Sequence, residues 1–328
     1  MPRASSGRPL TRRAAAAGGL AILGSGVVDR ATGQWASGTA IQVVVAFPAG
    51  GPSDLTARLM QSELARLLGT SVVVRNLPGA AGTIGTAEVA RARPDGTTLV
   101  LSPIAPVSLM PHLRPLPYAP LRDLAPICQV SETPTLLVVK PDGPYRELDD
   151  LIATARARRR AMTFGSGGHG TMPHIAGVAL GRAFGLELLH VPFRGAAESG
   201  QAIIAGTVDF TVEQPILARQ FGLRPLLIFA ETRSPDFPEV PTAREREHEL
   251  LFSVWNGLFA PAGMPTELLR RLEAACRIAL TTAPVIEGMA RLNTPIRFRG
   301  ASDFASYLAE EHGRMGRLIS EGGIRLAE

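Results

Sequence analysis

From Ile41 onwards the chain alternates short β-branched apolar runs with longer stretches in which leucines recur at helical spacing. Glycine and proline mark most of the joints between them. Period-two and run-like apolar patterns are the signature of strands, and i, i+3, i+4 patterns that of amphipathic helices. Ile41–Phe47 therefore reads as a strand and Pro48–Ser53 as a turn. Asp54–Leu68 reads as a helix carrying Leu55, Leu59, Leu64 and Leu67–Leu68 on its apolar side, with Gly69 placed to end it. Ser71–Arg75 is a second strand, Pro78–Gly85 a glycine-rich loop, and a helix runs from there to Arg91. A turn at Pro94-Asp95-Gly96 leads to a third strand, Thr98–Ser102.

Leu113–Pro126 is dense in proline and reads as a surface excursion. Thr135–Lys140 then reads as a strand that carries the chain into a second lobe. There the rhythm repeats: helix Leu148–Arg158, strand Ala161–Ser166, helix Pro173–Phe184, strand Leu188–Val191, helix Ala196–Ala205, and strands Val208–Glu213 and Pro225–Ala230. Val254–Ala260 reads as a return strand to the first lobe, and the remainder as helices over Pro265–Thr281, from Pro284, and over Ser302–Ser320. Alternating strands and helices of this kind imply an α/β fold with parallel strands.

Charge changes the picture at one end only. The 328 residues carry a net +5, and Lys140 is the single lysine among the cations. Residues 1–37 hold five arginines against Asp29, a net +4, which leaves +1 on the rest of the chain. A near-neutral body lacks the basic face that phosphate neutralisation requires, so nucleic acid is not an expected partner. The run Arg156–Arg160 is expected on a helix, as a solvated face. The order of residues 1–28, basic up to Arg12-Arg13 and then small and apolar from Ala14 to Val28, is that of an export signal. Thr11-Arg12-Arg13 suggests the twin-arginine route. Cleavage is expected between Ala31 and Ala40, and a periplasmic location follows.

Cys128 and Cys276 are the only cysteines and belong to no C-x-x-C pair. Zinc and thioredoxin chemistry thus have no support. Export permits a disulfide, but the expectation from spacing alone is two buried thiols. The histidines offer no helical metal pair either, because His169 and His174 are five apart rather than four. No metal and no cofactor are expected.

Three loops rich in small residues each follow a strand and open a helix: FPAGGPSDL from Phe47, NLPGAAGTIG from Asn76, and FGSGGHGTMPH from Phe164. Such junctions expose unpaired N–H groups at the positive end of a helix, where an anion is stabilised. Ser53, Ser166 and Thr171 add hydroxyls. The third loop also spells G-x-G-x-x-G with Gly165, Gly167 and Gly170. That is the fingerprint of a dinucleotide site, but the acidic residue that should end the next strand is replaced by Val191-Pro192-Phe193-Arg194. An NADP-linked oxidoreductase is therefore the disfavoured alternative. No G-x-S-x-G elbow is present, so esterase chemistry lacks its nucleophile, and the chain is not expected to be an enzyme.

These loops, in this order, resemble the substrate-binding receptors of tripartite tricarboxylate transporters, the Bug family of periplasmic proteins. The resemblance runs from about Ile41 through VVVAFPAGGPSD, VVVRNLPGAAGTIG, ARARPDGTTLVLS, PHLRPLPYAPLRDLAPI, FGSGGHGTMPHIAG, LLHVPFRGAAES, GTVDF, VPT and WNGLFAPAGMP. It implies a type II periplasmic-binding-protein fold: two α/β lobes joined by crossing segments, closing like a flytrap on a ligand in the cleft. Lobe 1 is then 38–135 with 251–328, and lobe 2 is 136–250. It further implies a monomer that binds a small carboxylate through backbone amides and hydroxyls and delivers it to membrane permease subunits.

Carried onto this chain, the ligand contacts fall on Phe47, Gly51, Ser53 and Asp54 in the first loop, and on Ser166, Gly168, His169 and Thr171 in the second. The walls fall on Ser102 and on Phe193, Arg194 and Gly195, with Asp209 nearby. Phe164 stands where tyrosine is usual, Leu77 where arginine is, and Thr97 where tyrosine is. Glu213-Gln214 replaces a more neutral stretch, which points to an unusual solute. A periplasmic sensor feeding a membrane kinase is the remaining alternative, since it would use the same closed lobes.

Overall fold

The computed structural model describes residues 39–325; the export-signal reading of residues 1–37 lies outside them. Lobe 1 begins with β1 (Ala40–Val45), α1 (Pro52–Leu68), β2 (Ser71–Asn76), α2 (Thr83–Ala90) and β3 (Thr98–Pro103). A π-helical turn (Ala105–Leu109) and two short helices, α3 (Met110–Leu113) and α4 (Pro120–Asp123), lead into a long strand, β4 (Leu124–Pro134). Lobe 2 holds β5 (Leu136–Val139), α5 (Leu148–Ala157), β6 (Met162–Ser166), α6 (Met172–Phe184), β7 (Leu188–Pro192), α7 (Ala196–Ile204), β8 (Phe210–Glu213), α8 (Pro215–Gln220) and β9 (Arg224–Ile228). The chain returns through β10 (Ser253–Pro261), α9 (Thr266–Ala279), α10 (Ala283–Arg291), β11 (Ile296–Gly300) and α11 (Ala301–Glu321).

The strand order is β11-β4-β10-β3-β1-β2 in the first sheet and β7-β6-β8-β5-β9 in the second. Between the named strands, parallel pairing is confined to β2-β1-β3 and β7-β6-β8, where helices supply the crossovers. The strands that enter or leave at the lobe crossings, β5, β10 and β4, pair antiparallel with their neighbours, as do β9 and β11. The expectation of parallel strands is corrected to that extent.

Several elements escaped the sequence pattern, the short helices α3 and α4 as well as β4, β11 and α8. β4 begins inside the supposed surface excursion and lies between β11 and β10. Its Pro126 sits opposite Phe259 beside a register shift, the kind of irregularity at which a sheet accepts a residue with no N–H. β11, Ile-Arg-Phe-Arg-Gly, is an edge strand whose alternating arginines hide its apolar face. The six-residue α8 is too short to show a period.

One cluster of buried apolar residues takes members from both lobes, Val44, Val100, Trp255 and Phe259 together with Leu137, Phe164 and Phe210, and α11 adds Phe304, Leu308, Met315 and Ile319. A second cluster joins Ile41, Val43 and Leu101 to Met60 and Leu64 of α1 and to Leu268 and Leu272 of α9. Within it Cys128 of β4 and Cys276 of α9, both fully buried, form a disulfide, which corrects the expectation of two thiols. Packing of α9 across β4 brings together residues 148 apart in sequence, which no spacing rule reports. The two crossings are tied to each other: Thr135 N–H donates to Phe252 O at 2.9 Å, Phe252 N–H to Phe229 O at 3.1 Å, and Phe229 N–H to Thr135 O at 3.0 Å.

Candidate functional site

A cleft of about 320 Å³ opens between the lobes where three helices begin. It is lined by Gly51, Pro52 and Ser53 at the start of α1, by Thr171, Met172 and Pro173 at the start of α6, and by Gly195, Ala196, Ala197 and Glu198 at the start of α7. None of these three helices has a side-chain cap. The N–H groups of a first helical turn have no intrahelical partner, so those of Ser53 and Asp54, of Met172 and His174, and of Ala196 to Glu198 are the donors available there. Proline sits in the first turn of both α1 and α6, where it costs no hydrogen bond and presets the backbone. Three helix dipoles thus bring positive potential to one small volume, suited to an anion. Phe47, Pro48, Ile104 and Val254 supply apolar walls.

The first loop is held from behind. Asp54 is 2% exposed and takes the Gly50 N–H at 2.9 Å, the Asn76 amide at 2.9 Å and the Arg58 guanidinium at 3.0 Å. Burial by itself would raise its pKa, but these donors outweigh burial and hold it below the ordinary value. Asn76 also donates to Phe47 O at 3.0 Å, so both ends of the loop hang on one polar knot. Ser53 Oγ donates to buried Asn256 Oδ1 at 2.6 Å, anchoring α1 to β10.

In lobe 2 the chain turns at Gly168 and Gly170, both at positive φ. Thr171 Oγ1 donates to Gly168 O at 2.8 Å. Ser166 is fully buried, with its Oγ 2.7 Å from His190 Nε2 and accepting the Gly168 N–H at 3.2 Å. Behind the loop stand His174, whose pKa burial and the His169 ring lower to about 4, and His190, lowered to about 3 by burial and by the rings of His174 and His169. A side chain on Gly195 would meet Pro48 Cγ of the other lobe at 3.0 Å, so the lobes meet here backbone to ring.

Phe47, Gly51, Ser53, Thr171, Arg194 and Gly195 of the sequence-derived set line the cleft. Gly168, His169 and Phe193 line an adjoining groove that shares Phe47, Pro48, Gly167 and Arg194 with it. Ser102 is fully buried and donates to Pro103 O at 3.2 Å, below the cleft wall. Asp54 and Ser166 support the loops from within. Asp209 lies just ahead of β8, at the opposite end from the cleft. There it accepts the Thr163 N–H at 2.8 Å and pairs with Arg158 at 2.6 Å. Burial raises its pKa, but the Thr163 and Arg158 donors outweigh it, so Asp209 is a structural anion.

The sequence-derived set omitted the most unusual lining residue. Glu213 ends β8, lines the cleft, and is 1% exposed with Oε1 unpaired. Burial pushes its pKa up to about 8, only partly offset by hydrogen bonds from Ser199, Gly167 and Gln214, which favours the neutral carboxyl over the carboxylate. Gln214 beside it also has an unpaired, buried Oε1. The signal was the Glu213-Gln214 dipeptide noted above; period-two alternation puts Glu213 on one face of β8 but not at a cleft. Arg194 and Glu198 are the other ionisable groups of the lining.

The profile described as tripartite tricarboxylate transporter family receptor matches residues 56–324. The protein BugT of Bordetella pertussis is 32% identical over 324 residues, covering 94% of this chain and 97% of its own length. Among solved structures, MatC (Rpa3494) of Rhodopseudomonas palustris with bound malate superposes with a TM-score of 0.80 at 30% identity, covering 85% of this chain and 98% of that one. Rpa4515 of R. palustris with adipate gives 0.83 at 25% identity, covering 88% and 99%.

Proposed function

The chain belongs to the tripartite tricarboxylate transporter receptor family, whose members are periplasmic solute-binding proteins, and from that premise we propose that it captures a small carboxylate between its lobes for uptake by membrane permease subunits. The observation that carries this reading is the convergence of three uncapped helix N-termini, one from lobe 1 and two from lobe 2, on one cleft. A carboxylate seated there accepts N–H groups from both lobes at once. The hydroxyl protons of Ser53 and Thr171 are already given to Asn256 and Gly168, so the main-chain donors do most of the holding. Lobe 1 is taken as 38–135 with 251–328 and lobe 2 as 136–250, and residues 1–37 as the export signal.

Binding then closes the lobes without chemistry. The ligand contacts more donors in the closed state than in the open one, and that difference in affinity is what shifts the equilibrium. The three segments tied at Thr135, Phe229 and Phe252 are the hinge. Native mass spectrometry of the purified protein, followed by calorimetry with a panel of mono-, di- and tricarboxylates including malate and adipate, tests the reading. A bound acid recovered unchanged is the expected outcome. Absence of binding across the panel, or recovery of an altered acid, overturns it.

A further inference from the structure

Among the described residues, His169, His174 and His190 offer ring nitrogens that all lie within 4.8 Å of one another. They come from three different elements: the loop after β6, the first turn of α6, and the middle of β7. We propose that these three histidines form a binding site for a divalent transition-metal ion such as Zn²⁺, set directly behind the lobe 2 loop of the cleft.

Three atoms no more than 4.8 Å apart surround a point at most about 2.8 Å from each, and zinc–imidazole bonds are about 2.0–2.1 Å, so side-chain rotations of under an ångström bring the rings into range. The hydrogen bonding points the same way. Nδ1 of His169 and Nδ1 of His190 are buried and have no hydrogen-bond partner. An unpaired buried nitrogen is costly, and two of them in one cluster call for a shared partner. His190 Nε2 sits 2.7 Å from Ser166 Oγ, the outer hydrogen bond that orients a metal-binding imidazole and frees its other nitrogen. His174 Nδ1 takes the Gly170 N–H at 3.2 Å, a bond that has to open for this ring to join the other two on a metal. Phe164 packs against the rings of His174 and His190 and gives the cluster an apolar floor. The donor set, three imidazoles with no carboxylate, suits zinc, nickel or copper and not calcium or magnesium.

Three ligands leave a fourth position open. His169 lines the groove between the lobes with Pro48 and Arg194, so solvent or a small ligand has access from that side. The metal would pin the segment from Ser166 to Thr171, whose Gly167 and Thr171 line the cleft. The three rings would hold the ion whichever solute the cleft takes.

The test uses the full chain, stripped with a chelator and titrated with Zn²⁺ alone, read by native mass spectrometry and calorimetry. One Zn²⁺ per chain is expected, with Ca²⁺ not taken up. His169→Ala, at a half-buried loop position and checked for an unchanged circular dichroism spectrum, and His190→Gln should each weaken binding at least tenfold. His312→Ala, at a separate histidine pair with His112, should leave binding unchanged. Equal affinity in the His169→Ala protein, loss of binding in the His312→Ala protein, or no uptake by folded wild type at a tenfold excess of Zn²⁺ each overturns the proposal.

Discussion

Glu213 and Asp54 are both buried acids beside the same cleft, yet their surroundings push them in opposite directions. Glu213 has too few donors to offset burial, so its folded-state pKa rises from an ordinary 4.5 to about 8. Below 4.5 it is protonated whether the chain is folded or unfolded. As pH climbs from there to about 8 the unfolded chain releases a proton that the folded chain must keep, and stability falls progressively through that window. Glu213→Gln removes this dependence. The melting temperature of the variant relative to wild type should therefore increase between pH 5 and pH 8 and then level off, by thermal melts across the range; a constant difference would refute the raised pKa. Asp54 has the reverse sign, its contribution being present at neutral pH and lost as pH drops through its lowered pKa. Asp54→Asn keeps the shape but loses the charge-assisted bonds to Arg58 and weakens the tie to Gly50. Hydrogen bonds to a charged group contribute about 1.5–3 kcal/mol, so a loosened first loop should cost the captured carboxylate roughly ten- to a hundredfold in affinity by calorimetry.

Elements bring the anion site into being, because each of the three helices offers its donors by virtue of where it starts. Their shared geometry allows a test in which affinity and stability move in opposite directions. Ala197 lies in the first turn of α7 and lines the cleft. Replacing it with glutamate places a negative charge at a helix N-terminus, which favours the helix by about 0.3–1 kcal/mol. The same charge occupies the positive potential meant for the ligand. Ala197→Glu should thus melt no lower than wild type while its carboxylate affinity drops at least tenfold; unaltered affinity would remove α7 from the site. Helices α1 and α6 and the strands before them were legible in the pattern of Leu55, Leu59 and Leu64 and in the runs 41–47 and 161–166. β4, β11 and α8 were not, because a bulge proline, alternating arginines and a length of six residues each erase the period that the eye relies on.

The whole molecule adds two constraints that no element holds alone. The Cys128–Cys276 bond ties β4 to α9 inside lobe 1 and closes a loop of 148 residues that includes all of lobe 2. Native disulfides typically stabilise by about 2–5 kcal/mol, so Cys128→Ala with Cys276→Ala should lower the denaturation midpoint while leaving ligand affinity within about threefold, since neither residue reaches the cleft. The second constraint is the hinge. If a carboxylate bridges donors from both lobes, small-angle scattering should give a smaller radius of gyration with ligand than without, and an unchanged value at saturation would count against closure.

Local chemistry by itself determined the alternation of strands and helices, the three anion-receptive loops, the near-neutral body and the resemblance to a receptor family. Each of these depends on neighbours within about one element of each other, which is the range over which periodicity and turn chemistry operate. Only the tertiary structure decided which small-residue loops face one cleft, that Asp209 stands at the far end of its strand, and that Glu213 is buried where a ligand would lie. It also paired Cys128 with Cys276 and gathered His169, His174 and His190, whose spacing in the chain follows no ligand motif. The physical reason is common to all of them. Burial, pairing and convergence are set by how sheets stack and helices cross, and residues far apart in sequence meet only when that packing is complete.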